Sequence, residues 1–319
     1  MITISVIIPI HNRAEFFPRL FNGLQAISRH DVEIVFVDNN SDDKSRLALD
    51  KFVAKLVGNS ILLVTIIEEK KLGACAARNA GLRYAKGKYI YFFDSDDEFS
   101  AQMLDDAYNS AINNESDVVA LKTNIVLPTG KLIRKKMVRD SSPVYQVLVN
   151  NFATQSLFLK RDFALNNAVW DEQLFYWNDL EWGFRIMLSS PKISWLKDSY
   201  HRIYIHSNSI TGQCFSHRID KVNECHHAMR QDILALCNDS QQRFLLQSLN
   251  CRIAIYAGHV CREGNVDGAH IILSSIDEHV ATSQHKLKLK MLYWLSKHGA
   301  PSLWRLAILF CGCRNRKAL

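Results

Sequence analysis

The run Tyr89-Ile90-Tyr91-Phe92-Phe93 stops abruptly in Asp94-Ser95-Asp96-Asp97-Glu98. Five apolar or aromatic residues without polar alternation read as a strand buried on both faces, the kind found inside parallel sheets. Four carboxylates then stand where that strand ends. Open α/β sheets bind ligands beyond the carboxyl ends of their strands. A close pair of carboxylates suits a hard divalent cation, Mg²⁺ or Mn²⁺, that shares its coordination with substrate phosphates. The same residues also read as an acidic loop that caps the next helix through Asp97 or Ser100.

Further strand-like runs occur at residues 2–8, closed by Pro9, at 32–37 and at 61–67. Helical spacing follows each of them, over 14–28, from the polar cluster after Asp38 to about 57, and from Gly73 through a small-residue segment. Strand–helix alternation at this pace predicts a doubly wound, mostly parallel α/β sheet. The polar clusters 9–13, 38–43 and 94–97 then fall on one sheet edge, far apart in sequence and close in space. A helix over 101–113, a strand over 117–121 and a hairpin turning at Pro128-Thr129-Gly130 come next. Lys131, Arg134, Lys135 and Lys136 read as a solvated edge or as a wall facing an anionic substrate. Short strands are expected at 154–160, 193–196 and 200–206, and a helix from Asn178 to about Ser189. From 216 onward the pattern is helical. The chain therefore divides into an α/β domain, 1–215, and an all-helical appendage, 216–319.

The net charge is +7, yet residues 282–319 alone hold eight Lys or Arg and no Asp or Glu. This asymmetry points to an anionic partner for the tail. Leu303, Leu306, Ala307 and Phe310 share a helical face, and Lys286, Lys288, Lys290, Lys297, Arg314, Arg316 and Lys317 surround them. That pattern suits an interfacial helix on an anionic membrane surface, or packing against the catalytic domain or a second copy. No nucleic-acid motif accompanies the charge, so nucleic acid is not expected as a partner. Seven of the eight cysteines lie after residue 200 and none forms a C-x-x-C pair. Scattered thiols, with neither a signal peptide nor an 18-residue apolar stretch, lead to the expectation of a cytoplasmic protein.

Five stretches in order resemble the inverting family 2 glycosyltransferases of GT-A fold, the bacterial group that builds surface polysaccharides. They are Ser5-Val6-Ile7-Ile8-Pro9 with Asn12; Val37-Asp38 with Ser41 and Asp43; Gly73, Ala77, Arg78, Asn79 and Gly81; Phe93-Asp94-Ser95-Asp96-Asp97; and Asn178-Asp179-Leu180-Glu181 with Arg185. Three positions depart from the family pattern: His11 stands for an aromatic residue, Asn39-Asn40 for Asp-Gly, and Asn178 for Glu.

The resemblance implies a nucleotide diphosphate sugar donor, UDP-linked by preference, and a glycan or lipid-linked acceptor. Asp96 and Asp94 would hold Mn²⁺ or Mg²⁺ against the departing diphosphate. His206 would complete the metal or diphosphate site. Asp38 would accept from the nucleobase, Pro9 and Asn12 would shape its pocket, and Ser95 would line the donor site. Arg78 would pair with a carboxylate or phosphate, or form an ion pair within its helix. Asp179 would be the general base, with Glu181 on the acceptor side or orienting it; the alternative for Asp179 is a helix N-cap. The membrane-associated tail would place such an enzyme on the inner face of the plasma membrane, with a homo-oligomer left open. A nucleotidyltransferase is disfavoured by the lack of a Gly-rich, Lys-containing loop after the first strand. A glycoside hydrolase is disfavoured because Asp94 and Asp96 are too close to flank a sugar. A non-catalytic assembly protein with a degenerate nucleotide site is the remaining alternative.

Overall fold

The computed structural model describes residues 1–42, 44–57, 62–134, 137–150, 152–206 and 214–312. Asp43, Ile61, Lys135, Lys136, residues 207–211 and the tail residues Cys313, Arg314, Arg316 and Lys317 lie outside the described residues. The chain packs as two units. One comprises residues 1–139, 152–175 and 191–208, and the other 140–151, 176–190 and 209–319.

The first unit is built on an eight-stranded sheet, counted among the described residues. Its strands are β1 (Ile4–Ile10), β2 (Val32–Asp38), β3 (Leu63–Glu68), β4 (Tyr89–Phe92), β5 (Val118–Val126), β6 (Leu132–Arg134), β7 (Leu157–Lys160) and β8 (Ile193–Tyr204). The order is β3-β2-β1-β4-β7-β5-β6, with β8 also on β5. Strands β1 to β4 are mutually parallel, as is β8 with β5, whereas β6 and β7 run antiparallel to their neighbours. The mostly parallel sheet expected from the alternation is present. The helices α1 (Phe17–Gln25), α2 (Ser45–Val57), α3 (Ala74–Tyr84) and α4 (Ala101–Asn113) follow the four parallel strands in turn. Strands β1, β2 and β4 are almost wholly buried. Their side chains pack with Phe17, Leu20 and Leu24 of α1 and with Met103, Leu104 and Ala107 of α4.

Three boundaries differ from the sequence reading, each for a physical reason. Strand β1 continues through Pro9 to Ile10. The amide of Phe93 donates to Ile7 O on the β4 side of β1, and Asn39 N–H donates to Ile10 O on the β2 side. Alternation therefore turns Pro9 toward β4, which has already ended at Phe92, so the missing proline N–H costs no ladder bond. The segment read as a strand from 154 begins as a 3₁₀ turn, Thr154–Ser156, where Ser156 Oγ accepts from Ala153 N–H at 2.9 Å. The two strands expected at 193–196 and 200–206 are one, β8, whose register against β5 slips between Trp195 and Tyr200. Gly81 lets α3 lie close on β1: a Cβ there would overlap Ile7 Cγ2. The hairpin turn at 128–130 forms, with Gly130 at φ 79° and its N–H on Leu127 O.

The second unit is helical. It contains α5 (Pro143–Val149), α7 (Asn178–Leu188), α8 (Ile219–Leu236), α9 (Asp239–Arg262), α10 (Val266–Leu273), α11 (Ser283–Lys297) and α12 (Leu303–Phe310), while α6 (Arg161–Asn167) belongs to the first unit. The long α9 buries Leu245, Leu249, Ile253, Ala257 and Val260 along one stripe. No helix among the described residues is long and apolar enough to cross a membrane.

Candidate active site

The loops after β1 and β2 are laced together. Asn12 has φ 52°, a left-handed conformation that Asn tolerates well. Its N–H donates to Ser41 Oγ at 3.3 Å, and its Oδ1 accepts from Asp42 N–H at 3.0 Å. Arg13 N–H donates to Ser45 Oγ at 2.8 Å. His11 Nδ1 lies 2.8 Å from Asn39 O, so this nitrogen carries the proton. Asp38 ends β2, mostly buried, and accepts from Ser41 N–H at 3.1 Å. Pro9 stands half-buried beside it in the sheet, paired in register with Val37.

Asn39 explains one departure from the family pattern. It is 3 % exposed, and its Nδ2 donates to Glu69 O at 2.7 Å and Lys71 O at 2.8 Å. Its Oδ1 accepts from Gly73 N–H at 2.8 Å. Only an amide can both donate and accept here; an ionised carboxylate only accepts. Asn40 takes the left-handed turn, φ 58°, that glycine would supply. Asn39→Asp should therefore destabilise the protein by about 3 kcal/mol, because a carboxylate would face two backbone carbonyls. Urea unfolding of the variant at neutral pH measures this, and a change below about 1 kcal/mol would reject the reading.

Helix α3 begins after Gly73, whose φ of 128° excludes a side chain without strain. It carries Arg78, whose side chain is only 6 % exposed. Arg78 Nη2 donates to Asp94 Oδ1 at 2.8 Å, across elements and not along its own helix. Its guanidinium lies 4.4 Å from the centre of the Trp170 ring. Asn79 holds that tryptophan in place, accepting from Trp170 N–H and donating to Trp170 O, both at 2.9 Å. Trp170 thus supports the site, a role the sequence alone did not suggest.

The acidic loop divides its carboxylates among separate tasks. Ser100, not Asp97, caps α4 by accepting from Met103 N–H. Asp97 is buried, accepting from Tyr204 N–H at 2.7 Å and from Gln155 Nε2. Burial, and then the charges of Asp96 and Asp94, push its carboxyl well above the usual range. Asp97 therefore ties this loop to β8 and the 154–156 turn. Ser95 is buried beside it. Asp96 Oδ2 lies 3.1 Å from His206 Nε2 and 3.8 Å from Arg13 Nε. The Phe16 ring packs on His206 with centroids 4.5 Å apart. Asp96 and His206 thus meet although 110 residues separate them. Arg13, which the sequence placed in the first loop without a role, joins them.

A carboxylate–imidazole pair is a donor set that Mn²⁺ accepts. Asp94 is engaged by Arg78, and no cluster of three or more His, Cys, Asp or Glu is poised for a metal among the described residues. The pair fits an ion that draws its remaining ligands from a diphosphate and water, not a closed protein cage.

Asp179 and Glu181 lie in the second unit, in the first turn of α7. The N-cap is Trp177, at φ 53° and without a side-chain cap bond, so Asp179 is not the cap. Asp179 is half-buried. Glu181 is 2 % exposed and binds Arg185 through two hydrogen bonds of 2.6 and 3.2 Å. The turn before α7 is fixed from below. Arg252, half-buried, donates to Val147 O at 2.8 Å and lies 4.3 Å from the Trp177 ring centre. Burial pushes the Arg252 pKa down to about 10. Cys225 Sγ reaches Trp177 O at 3.5 Å.

Residues 5–175 match the family profile described as Glycosyl transferase family 2. The chain is 25 % identical over 268 residues to a cholesterol galactosyltransferase of Borreliella burgdorferi, covering 76 % of this chain and 72 % of that protein. It is 25 % identical over 244 residues to the poly(ribitol-phosphate) β-N-acetylglucosaminyltransferase TarS of Staphylococcus aureus, covering 75 % of this chain but 41 % of TarS. The crystal structure of TarS residues 1–349 with UDP-GlcNAc shares the fold, with TM-score 0.67 at 18 % identity, over 99 % of this chain and 93 % of that one. A mannosyltransferase of Pyrobaculum calidifontis, solved with GDP-Man and Mn²⁺, aligns with TM-score 0.55 at 14 % identity over 98 % and 88 % of the two chains. The chain belongs to glycosyl transferase family 2.

Proposed function

We propose that this glycosyltransferase moves a sugar, with inversion, from a UDP-linked donor to a hydroxyl of a glycan or lipid-linked saccharide in bacterial surface polysaccharide synthesis. The observation that carries this reading is the meeting of three strand-end loops in the first unit: Asn12 with Ser41, Arg13 with Asp96, and Arg78 with Asp94. The donor and catalytic residues fall within 1–215, and 216–319 forms the helical region.

In this reading Asp38 accepts from the nucleobase, while Pro9 and Asn12 shape the pocket around it. Ser95 lines the donor site, and Arg78 keeps Asp94 turned toward it. Asp96 and His206, with Asp94 nearby, would hold Mn²⁺ or Mg²⁺, which when bound would neutralise charge on the diphosphate. Asp179 takes the proton from the acceptor hydroxyl as that oxygen attacks the anomeric carbon. Glu181, held by Arg185, stiffens the acceptor side. The enzyme works in the cytoplasm, with the basic region 282–319 against the inner face of the plasma membrane.

Support for a nucleotide-sugar donor comes from the TarS fold, solved with UDP-GlcNAc. Calorimetry with UDP-, GDP- and dTDP-sugars, each with Mn²⁺ and with EDTA, tests the proposal. UDP-sugar should bind about tenfold or more tightly with Mn²⁺, and Asp96→Ala should abolish that gain. Wild-type protein that binds none of the three would overturn it. Binding that is equal in EDTA would remove the metal from it.

A further inference from the structure

Helix α11 turns one apolar face inward and a second one outward. Leu289 and Leu292 are buried, and Ser296 Oγ donates to Ile255 O at 2.6 Å. Across the close approach at Gly258, a Cβ would overlap Tyr293 O. A helix seated this firmly on α9 would ordinarily show water a polar outer face. Instead Leu287, Met291 and Trp294 are 69 %, 46 % and 58 % exposed. Their spacing of four and three residues sets them in one row, which the exposed His298 extends by packing its ring, tilted by 34°, against Trp294, centroids 4.4 Å apart. Single exposed apolar residues are ordinary, but three large ones in a row are not. At 100° per residue, Lys286, Lys290 and Lys297 form a parallel row along one flank. All three are exposed; Lys286 ion-pairs with Glu278, whereas Lys290 and Lys297 have no carboxylate partner among the described residues, and no Asp or Glu occurs after residue 281. By contrast, the apolar face of α12, which the sequence left open between a membrane surface and packing on protein, has Leu303 and Ala307 buried in packing.

We propose that the Leu287–Met291–Trp294 row of α11, flanked by Lys290 and Lys297, docks on a lipid bilayer bearing anionic headgroups. Tryptophan in the row and lysines beside it are the chemistry of the membrane interface. A second copy packed antiparallel through this face would set its Lys290 and Lys297 beside the same pair, and like charges repel. The inference rests on the proposed membrane role of region 282–319 and gives that role its residues.

The test is co-sedimentation of the full chain with phosphatidylcholine vesicles, with and without about 30 % phosphatidylglycerol. Wild type should bind the anionic vesicles, and its tryptophan emission should shift to the blue. Leu287→Ser with Trp294→Ser should weaken binding at least about tenfold, and Lys290→Gln with Lys297→Gln should weaken it about thirtyfold. UDP-sugar affinity should be unchanged in both, which separates this inference from failure of the donor site. Undiminished binding by Leu287→Ser/Trp294→Ser would overturn the assignment to α11 while leaving the basic region. No binding by wild type would overturn both. A dimer by light scattering that dissociates in this double variant, without vesicle affinity in wild type, would assign the face to a second copy instead.

Discussion

Asp179→Asn is expected to lower kcat/KM for glycosyl transfer by roughly 10²–10⁴-fold, the contribution typical of a positioned general base. The amide matches the carboxylate in size but cannot take a proton from the acceptor hydroxyl. Structural side effects should be small. Helix α7 is capped by the Trp177 main chain and is anchored by buried Leu180, Trp182, Phe184 and Ile186. Its start is braced by Arg252 and Cys225, which touch Trp177 directly, although the Asp179 carboxylate also favours the Arg252 charge. Loss of an acid from the first helical turn removes only about 0.3–1 kcal/mol of dipole stabilisation. UDP-sugar affinity should therefore stay within about threefold of wild type, since the donor contacts assigned here lie in the other unit. Steady-state kinetics beside calorimetry separates these quantities. A variant that keeps more than about a tenth of wild-type kcat/KM would place the base elsewhere.

Much of the site was legible because the sequence marks where parallel strands end. Asp38, Asp94 and Asp96 each follow an apolar run, and such ends share one sheet edge. Asn40 was legible as a left-handed turn in place of glycine, since few other residues adopt it cheaply. Pairings across the sheet were not legible. Nothing local tells that Asp97 will be spent on Gln155 and Tyr204, or that His206 will reach Asp96 from the far end of β8. The sequence placed separate strands at 193–196 and 200–206, yet β8 runs through both with a register slip against β5. Burial by helix packing was hidden too. The amphipathic face of α12 was visible, but whether it meets protein or lipid depends on partners tens of residues away. The exposed row on α11 carries the same periodic signal as a core-facing row, so only the packed structure distinguishes them.

The same packing places His226 where it governs acid stability. Its ring lies in the second unit, 2 % exposed, with centroids 5.9 Å from Trp177 and 6.4 Å from Tyr256. Neither ring nitrogen has a hydrogen-bond partner among the described residues. Burial first, and then the nearby Arg252 charge, push the His226 pKa down to about 3 from the ordinary 6.5. The folded state therefore resists a proton that the unfolded chain accepts. The neutral ring's contribution is intact above about pH 6.5 and is lost as pH falls toward about 3. At about pH 5 the loss amounts to about 2 kcal/mol, a large share of a typical domain's stability. His226→Phe keeps the aromatic packing and removes the proton site. It also removes an N–H whose unmade hydrogen bond costs about 1–3 kcal/mol. The variant should thus be at least as stable as wild type at about pH 7.5, within about 1 kcal/mol of repacking cost, and clearly more stable at about pH 5. Urea unfolding of both proteins at the two pH values reads the difference directly. If both lose the same stability on acidification, the acid sensitivity arises at other groups, and His226 is a neutral filler between Trp177 and Tyr256.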